Sequence, residues 1–143
     1  MNREEIQSIL PHRSGMLLID WAEVRDGLAC GEKKITGSEW FLDGHFPDNP
    51  VVPGVILCEI MAQSTCVLLA SEISGEIETY LTGIEKAKFK SPVRPGDVFK
   101  TECSIIKSKA PFYWASGKGF VNGKLCATAE FSFAVIKRMS KPI

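Results

Sequence analysis

Apolar positions recur along this chain in two rhythms. From Pro53 to Gly75, in PGVILCEIMAQSTCVLLASEISG, they run almost without a break. This predicts a helix of about five turns with Pro53 in its first turn. The segment is apolar nearly all round, so the helix is expected to be buried rather than to lie on a surface. After Gly75 the rhythm shortens to two. YLTGIEKAKFK alternates, with Ala87 and Phe89 predicted on one face and Lys86, Lys88 and Lys90 on the other. VFKTECSIIKSK, FYWASGKGFV and KLCATAEFSFAVIK follow, the last two joined at Asn122-Gly123, a hairpin signal. In the final strand Leu125, Ala127, Ala129, Phe131, Phe133 and Val135 are expected to share one face. Ahead of the helix, MLLIDWAEV and LACGEKKI flank Asp26-Gly27, a second hairpin signal. Asn2 with Glu5 resembles a capping box opening a short helix through Ile9, ended by Pro11. SEWFLDGHFP reads as one short turn followed by loop.

Two strands, a long buried helix and four strands without intervening helices predict an α+β fold. Consecutive strands separated by turns favour a mainly antiparallel β-sheet, wrapped around the helix to cover its apolar surface. The apolar side left over calls for another subunit, so a dimer is expected. No repeat or linker divides the sequence, and residues 1–143 read as one domain.

Composition narrows the field. Seventeen basic residues balance seventeen acidic ones, so no global charge advertises nucleic acid. The five cysteines are odd in number and lack C-x-x-C spacing. Reduced thiols in a cytoplasmic protein fit better than a disulfide framework or a zinc site. The N-terminus lacks the apolar core of a signal peptide. The long apolar run is interrupted by Pro53, Gly54, Glu59 and Gln63, which argues against membrane insertion.

Candidate chemistry concentrates in GHFPDNPVVPGVILCEIMAQ, residues 44–63. His45, one of two histidines, lies in a loop stiffened by Pro47, Pro50 and Pro53. Such a loop suits a group that exchanges a proton near neutral pH. A loop histidine with one hydrogen bond is the plain alternative. Glu59 falls among Val55, Ile56, Leu57, Ile60 and Met61. A buried acid without a cation tends to stay neutral, the state a general acid requires, although a structural carboxyl satisfied by hydrogen bonds fits too. Gln63 lies at i+4 and could orient it. Gly54 supplies a helix N-terminal N–H able to polarise a carbonyl, or is simply a turn glycine. Together the set fits proton abstraction next to a carbonyl, with His45 of one chain able to meet Glu59 of another. Cys58 and Cys66 read as core residues, and His12 as structural or at the mouth of a site. Lys86, Lys88, Lys90 and Arg94 form either a solvated face or a patch for an acidic partner.

LPHRSGMLLID, GHFPDNPVVPGVILCEIMAQ and KAKFKSPVRPGD resemble, in order and spacing, the (3R)-hydroxyacyl-[acyl-carrier-protein] dehydratase family of fatty-acid synthesis. The resemblance spans nearly the whole chain. It implies the hot-dog fold and homodimers with active sites at the subunit interface, which in this family often assemble into trimers of dimers. It also implies loss of water from a (3R)-3-hydroxyacyl thioester to give the trans-2-enoyl thioester, without a cofactor or metal. By the same resemblance His45 matches the catalytic histidine and Glu59 the acid from the facing subunit. Gly54 matches the donor to the thioester carbonyl, and Val51 the carbonyl that orients the histidine. The acyl chain would arrive on acyl carrier protein, an acidic partner for Lys86, Lys88, Lys90 and Arg94. Glutamate at 59 resembles the branch that only dehydrates, where the isomerising branch usually has aspartate. Asp48 and Asn49 depart from the glycine common after GHFP. The rival readings are a hot-dog acyl-thioesterase, a dehydratase that also isomerises, and a non-catalytic acyl-carrier module, which would be expected to lack His45 or Glu59.

Overall fold

The structure, a computed structural model, describes residues 1–10, 14–43 and 48–137. His45, His12 and Pro11 lie outside the described residues. Helix α1, Arg3–Gln7, is shorter than expected, but its capping box is present: the Glu5 N–H donates to the Asn2 side chain at 2.9 Å and the Glu5 carboxylate accepts from the Asn2 N–H. Strands β1 (Trp21–Arg25) and β2 (Leu28–Lys34) form the first hairpin, with Asp26 and Gly27 at φ 50° and 77°. Two successive positive φ values make the tight turn whose twist matches the strands it joins.

Strand β1 begins later than its sequence pattern suggested. Leu17, Leu18 and Ile19 are all buried rather than alternating, and the Leu18 N–H donates to the Gln63 side chain instead of a strand ladder. Helix α2 spans Gly54–Glu72, with Pro53 as its N-cap rather than its first helical residue. It ends where Ile73 turns extended, ahead of Gly75. By length and composition α2 could cross a membrane, contrary to the argument from its interruptions; here 67% of its most apolar window is buried inside the protein.

Strands β3 (Ile77–Phe89), β4 (Val98–Lys109), β5 (Phe112–Val121) and β6 (Lys124–Lys137) complete one antiparallel sheet in the order β1-β2-β4-β5-β6-β3. The sheet curves around α2, and Ile60, Met61, Leu68 and Leu69 of the helix pack with Phe99, Phe131 and Phe133. A buried polar contact fixes the helix against the sheet: the Ser64 and Thr101 hydroxyls lie 2.8 Å apart, and Thr101 Oγ1 accepts the Gly31 N–H at 3.0 Å.

Irregularities break the period of two in four places. Gly119 pairs with Ala127 but Phe120 with Leu125, so Cys126 is an extra residue on β6. Cys126 therefore takes the buried position and Leu125, expected on the core face, is only half-buried. On β3 the register shifts between Leu81 and Gly83 and again between Glu85 and Lys88, where Lys86 adopts φ 52°. On β4 it shifts between Ile105 and Lys107.

Candidate active site

Helix α2 carries Glu59 and Gln63 one turn apart, so their side chains meet on one face. Gln63 is 1% exposed and fully engaged. Its Oε1 accepts the Leu18 N–H at 2.9 Å, while its Nε2 donates to the Met16 carbonyl at 2.8 Å and to Glu59 Oε1 at 3.0 Å. Only one amide orientation satisfies an N–H on one side and two acceptors on the other. Glu59 itself is half-buried, less enclosed than its apolar neighbours suggested. The partners of Gln63 from residues 16–18 escaped sequence analysis, because they are backbone groups more than forty residues away.

At the helix N-terminus the Gly54 N–H has no acceptor among the described residues. The Phe89 ring lies across Gly54: a Cβ there would come within 2.8 Å of Phe89 Cζ. A cleft of about 280 Å³ opens at this point, lined by Val51, Gly54, Leu57, Phe89, Lys90 and Val93. Its wall is tied by the Val52 N–H donating to the Val93 carbonyl at 2.8 Å. Apolar walls with an uncommitted N–H at one end can hold an acyl thioester and bind its carbonyl. In the sequence pattern Phe89 is only one position of an alternating strand.

The four cations are not all on one strand: Lys86 and Lys88 reach the same face of β6, while Lys90 and Arg94 lie beyond the end of β3. The bulge falls at Lys86, and Lys86 Nζ lies 3.6 Å from Glu130. Lys88 pairs across from Thr128, whereas Lys90 lies past the strand end and lines the Gly54 cleft. Arg94 is exposed, with its Nε donating to Asn49 at 3.3 Å. Lys90 is thus the cation at the cleft itself.

All five cysteines are free thiols. Burial pushes the Cys66 and Cys103 thiols up to about 12. Burial, then the neighbouring Glu59 charge, also raises Cys58. Thiols held this far from ionisation are poor nucleophiles, in keeping with their reading as core residues.

A curved antiparallel sheet around one long helix, with a polar constellation on that helix, defines a hot-dog protein. The fold superposes on the dehydratase heterocomplex ApeI:P from Xenorhabdus doucetiae with a TM-score of 0.79, covering 93% of this chain and 91% of that one at 17% identity. It also superposes on a probable thioesterase from Bartonella henselae, with a TM-score of 0.62 over 82% of this chain and 97% of that one at 12% identity. The FabA-like domain model matches residues 10–130. The chain is 39% identical over 141 residues to the 3-hydroxyacyl-[acyl-carrier-protein] dehydratase FabZ of Campylobacter lari, covering 94% of this chain and 97% of the relative. To the FabZ of Clostridium novyi it is 43% identical over 138 residues, covering 94% and 96%. The chain belongs to the FabA-like family, in its FabZ-type 3-hydroxyacyl-[acyl-carrier-protein] dehydratase group.

Proposed function

We infer that the protein removes water from (3R)-3-hydroxyacyl-[acyl-carrier-protein] to give the trans-2-enoyl thioester in fatty-acid biosynthesis. The observation that carries this reading is identity of about 40% to FabZ dehydratases over nearly the whole chain. The likeness to thioesterases is one of fold alone.

In the reaction the Gly54 N–H receives the thioester carbonyl and stabilises the enolate oxygen as charge develops. His45, oriented by the Val51 carbonyl, takes the proton from C2. Glu59, held by Gln63, gives a proton to the C3 hydroxyl, which leaves as water. Base and acid are then restored by proton exchange with solvent.

Two subunits build each site in this reading. Gly54 and Glu59 are five residues apart on α2, which places them about 140° apart around its axis. An acyl group at one Gly54 is better reached by Glu59 from a second chain. The edge strand β3 supports the same arrangement. Leu81, Ile84 and Phe89 share the sheet face of the buried Phe133, Phe131 and Ala127, yet are 41%, 44% and 51% exposed. Beside them Val55 of α2 is 74% exposed. A second copy covers this apolar strip and forms a homodimer; dimers further assemble as trimers of dimers. The protein works in the cytoplasm and receives acyl carrier protein at the cleft, with Lys90, Arg94 and Lys88 attracting its acidic surface.

The test is a product assay on a (3R)-3-hydroxyacyl-carrier substrate. Wild-type protein should give enoyl thioester, while His45→Ala and Glu59→Gln should each lose at least a hundredfold in kcat, about the contribution of a positioned acid or base. Free carrier thiol as the main product would instead point to a thioesterase. A cis-3-enoyl product would add isomerisation.

A further inference from the structure

Gln63 holds Glu59, but the backbone that holds Gln63 is a segment, residues 15–18, that is exposed at Gly15 and Met16 and buried only at Leu17 and Leu18. Three side chains grip that segment: Arg3 Nη1 donates to the Leu17 carbonyl at 3.3 Å, and Gln63 and Trp40 hold it from the helix and from the surface. From inside, Gln63 bonds the Met16 carbonyl and the Leu18 N–H. From outside, Trp40 Nε1 donates to the Gly15 carbonyl at 2.8 Å, and its ring lies so close that a Cβ at Gly15 would meet Trp40 Cδ1 at 2.9 Å. The ring is 52% exposed, so burial does not account for a tryptophan here.

Trp40 rests on a rigid base. It opens the 3-10 turn Trp40–Leu42, whose Phe41 and Leu42 are buried, with the Phe41 ring edge-on to Trp40 at 5.5 Å. Glu39, just before it, accepts from the Thr36 and Gly37 N–H groups and the Thr36 hydroxyl. Lys33 Nζ lies 4.0 Å from the same carboxylate.

We infer that Trp40 is a positioning residue: by fixing Gly15 and Met16 it fixes Gln63, and through Gln63 the carboxyl of Glu59. The inference rests on the reading of Glu59 as the acid. A carboxyl set by a chain of hydrogen bonds loses rate when one link slackens, because the proton must be delivered along a short, aligned path. Substrate affinity is untouched, since Trp40 acts only on the acid.

Trp40→Phe keeps a ring over Gly15 and removes the N–H; Gly15→Ala keeps the N–H and displaces the ring. Each should lower kcat roughly five- to tenfold with KM for the acyl-carrier substrate within about twofold of wild type. In a Gln63→Met background the Trp40→Phe effect should vanish, because the link it acts through is gone. Circular dichroism and thermal melts confirm that each variant is folded. An unchanged kcat in Trp40→Phe, a rise in KM alone, or additivity with Gln63→Met would each overturn the inference. Glu59→Gln tells the two failures apart. If Glu59→Gln is inactive and Trp40→Phe is silent, only the role of Trp40 falls. If Glu59→Gln keeps wild-type kcat, the acid assignment falls and this inference with it.

Discussion

A buried amide with three strong hydrogen bonds has one orientation left, and in Gln63 that orientation turns a donor toward Glu59. The i,i+4 spacing of the two was legible in the sequence, because helical periodicity is local. The Met16 carbonyl and Leu18 N–H that complete the clamp were not, because no pattern within α2 announces a backbone group brought in from elsewhere. Gly54 presents a similar case. Its place at the helix start could be read, but the reason for glycine there is the Phe89 ring across it. Gly54→Ala should therefore push Phe89 aside and reshape the cleft. Its kcat/KM should drop by roughly tenfold or more while the thermal midpoint changes little, as steady-state kinetics beside a melting curve will register.

At the scale of elements the hairpins, α2 and strands β4 to β6 follow from turn residues and apolar rhythm. What the rhythm concealed is the set of bulges. A bulge adds one residue without changing composition, so period-two reading put Leu125 on the core face. The 3-10 turn at Trp40 depends on a local charge that the pattern also missed. Burial would raise the Glu39 carboxyl, but the N–H groups of Thr36 and Gly37 and the Thr36 hydroxyl outweigh it and hold the group below its ordinary 4.5. A lowered folded value means that the stabilisation is complete above about pH 4.5 and is lost as pH falls through the folded value. Glu39→Gln should cost about 2 kcal/mol at pH 7. Its deficit relative to wild type should shrink in acid, which urea titrations at several pH values will measure.

For the whole molecule, the open inner face of β3 is the largest departure from a self-sufficient fold. Ile84 and Leu81 sit where the sheet should cover something, and nothing among the described residues of the chain buries them. If a second copy lies there, Leu81→Asp combined with Ile84→Asp should leave the chain folded but monomeric in sedimentation. Activity should fall with the dimer, since Gly54 and Glu59 of one chain lie on different sides of α2. A monomeric but active variant would remove the shared-site arrangement.

The two register shifts in β3 bear on which strands that edge will accept. An uninterrupted edge of thirteen residues would be a template for almost any extended peptide met in a crowded cell. Here the shifts between Leu81 and Gly83 and between Glu85 and Lys88 cut it into short lengths, the first of them Ile77 to Leu81. A stranger can zip along only a few residues before its spacing falls out of step. If a second copy of the same strand pairs there, it carries interruptions of the same size, and the irregularities that spoiled the sequence pattern would then serve as a password for self-association.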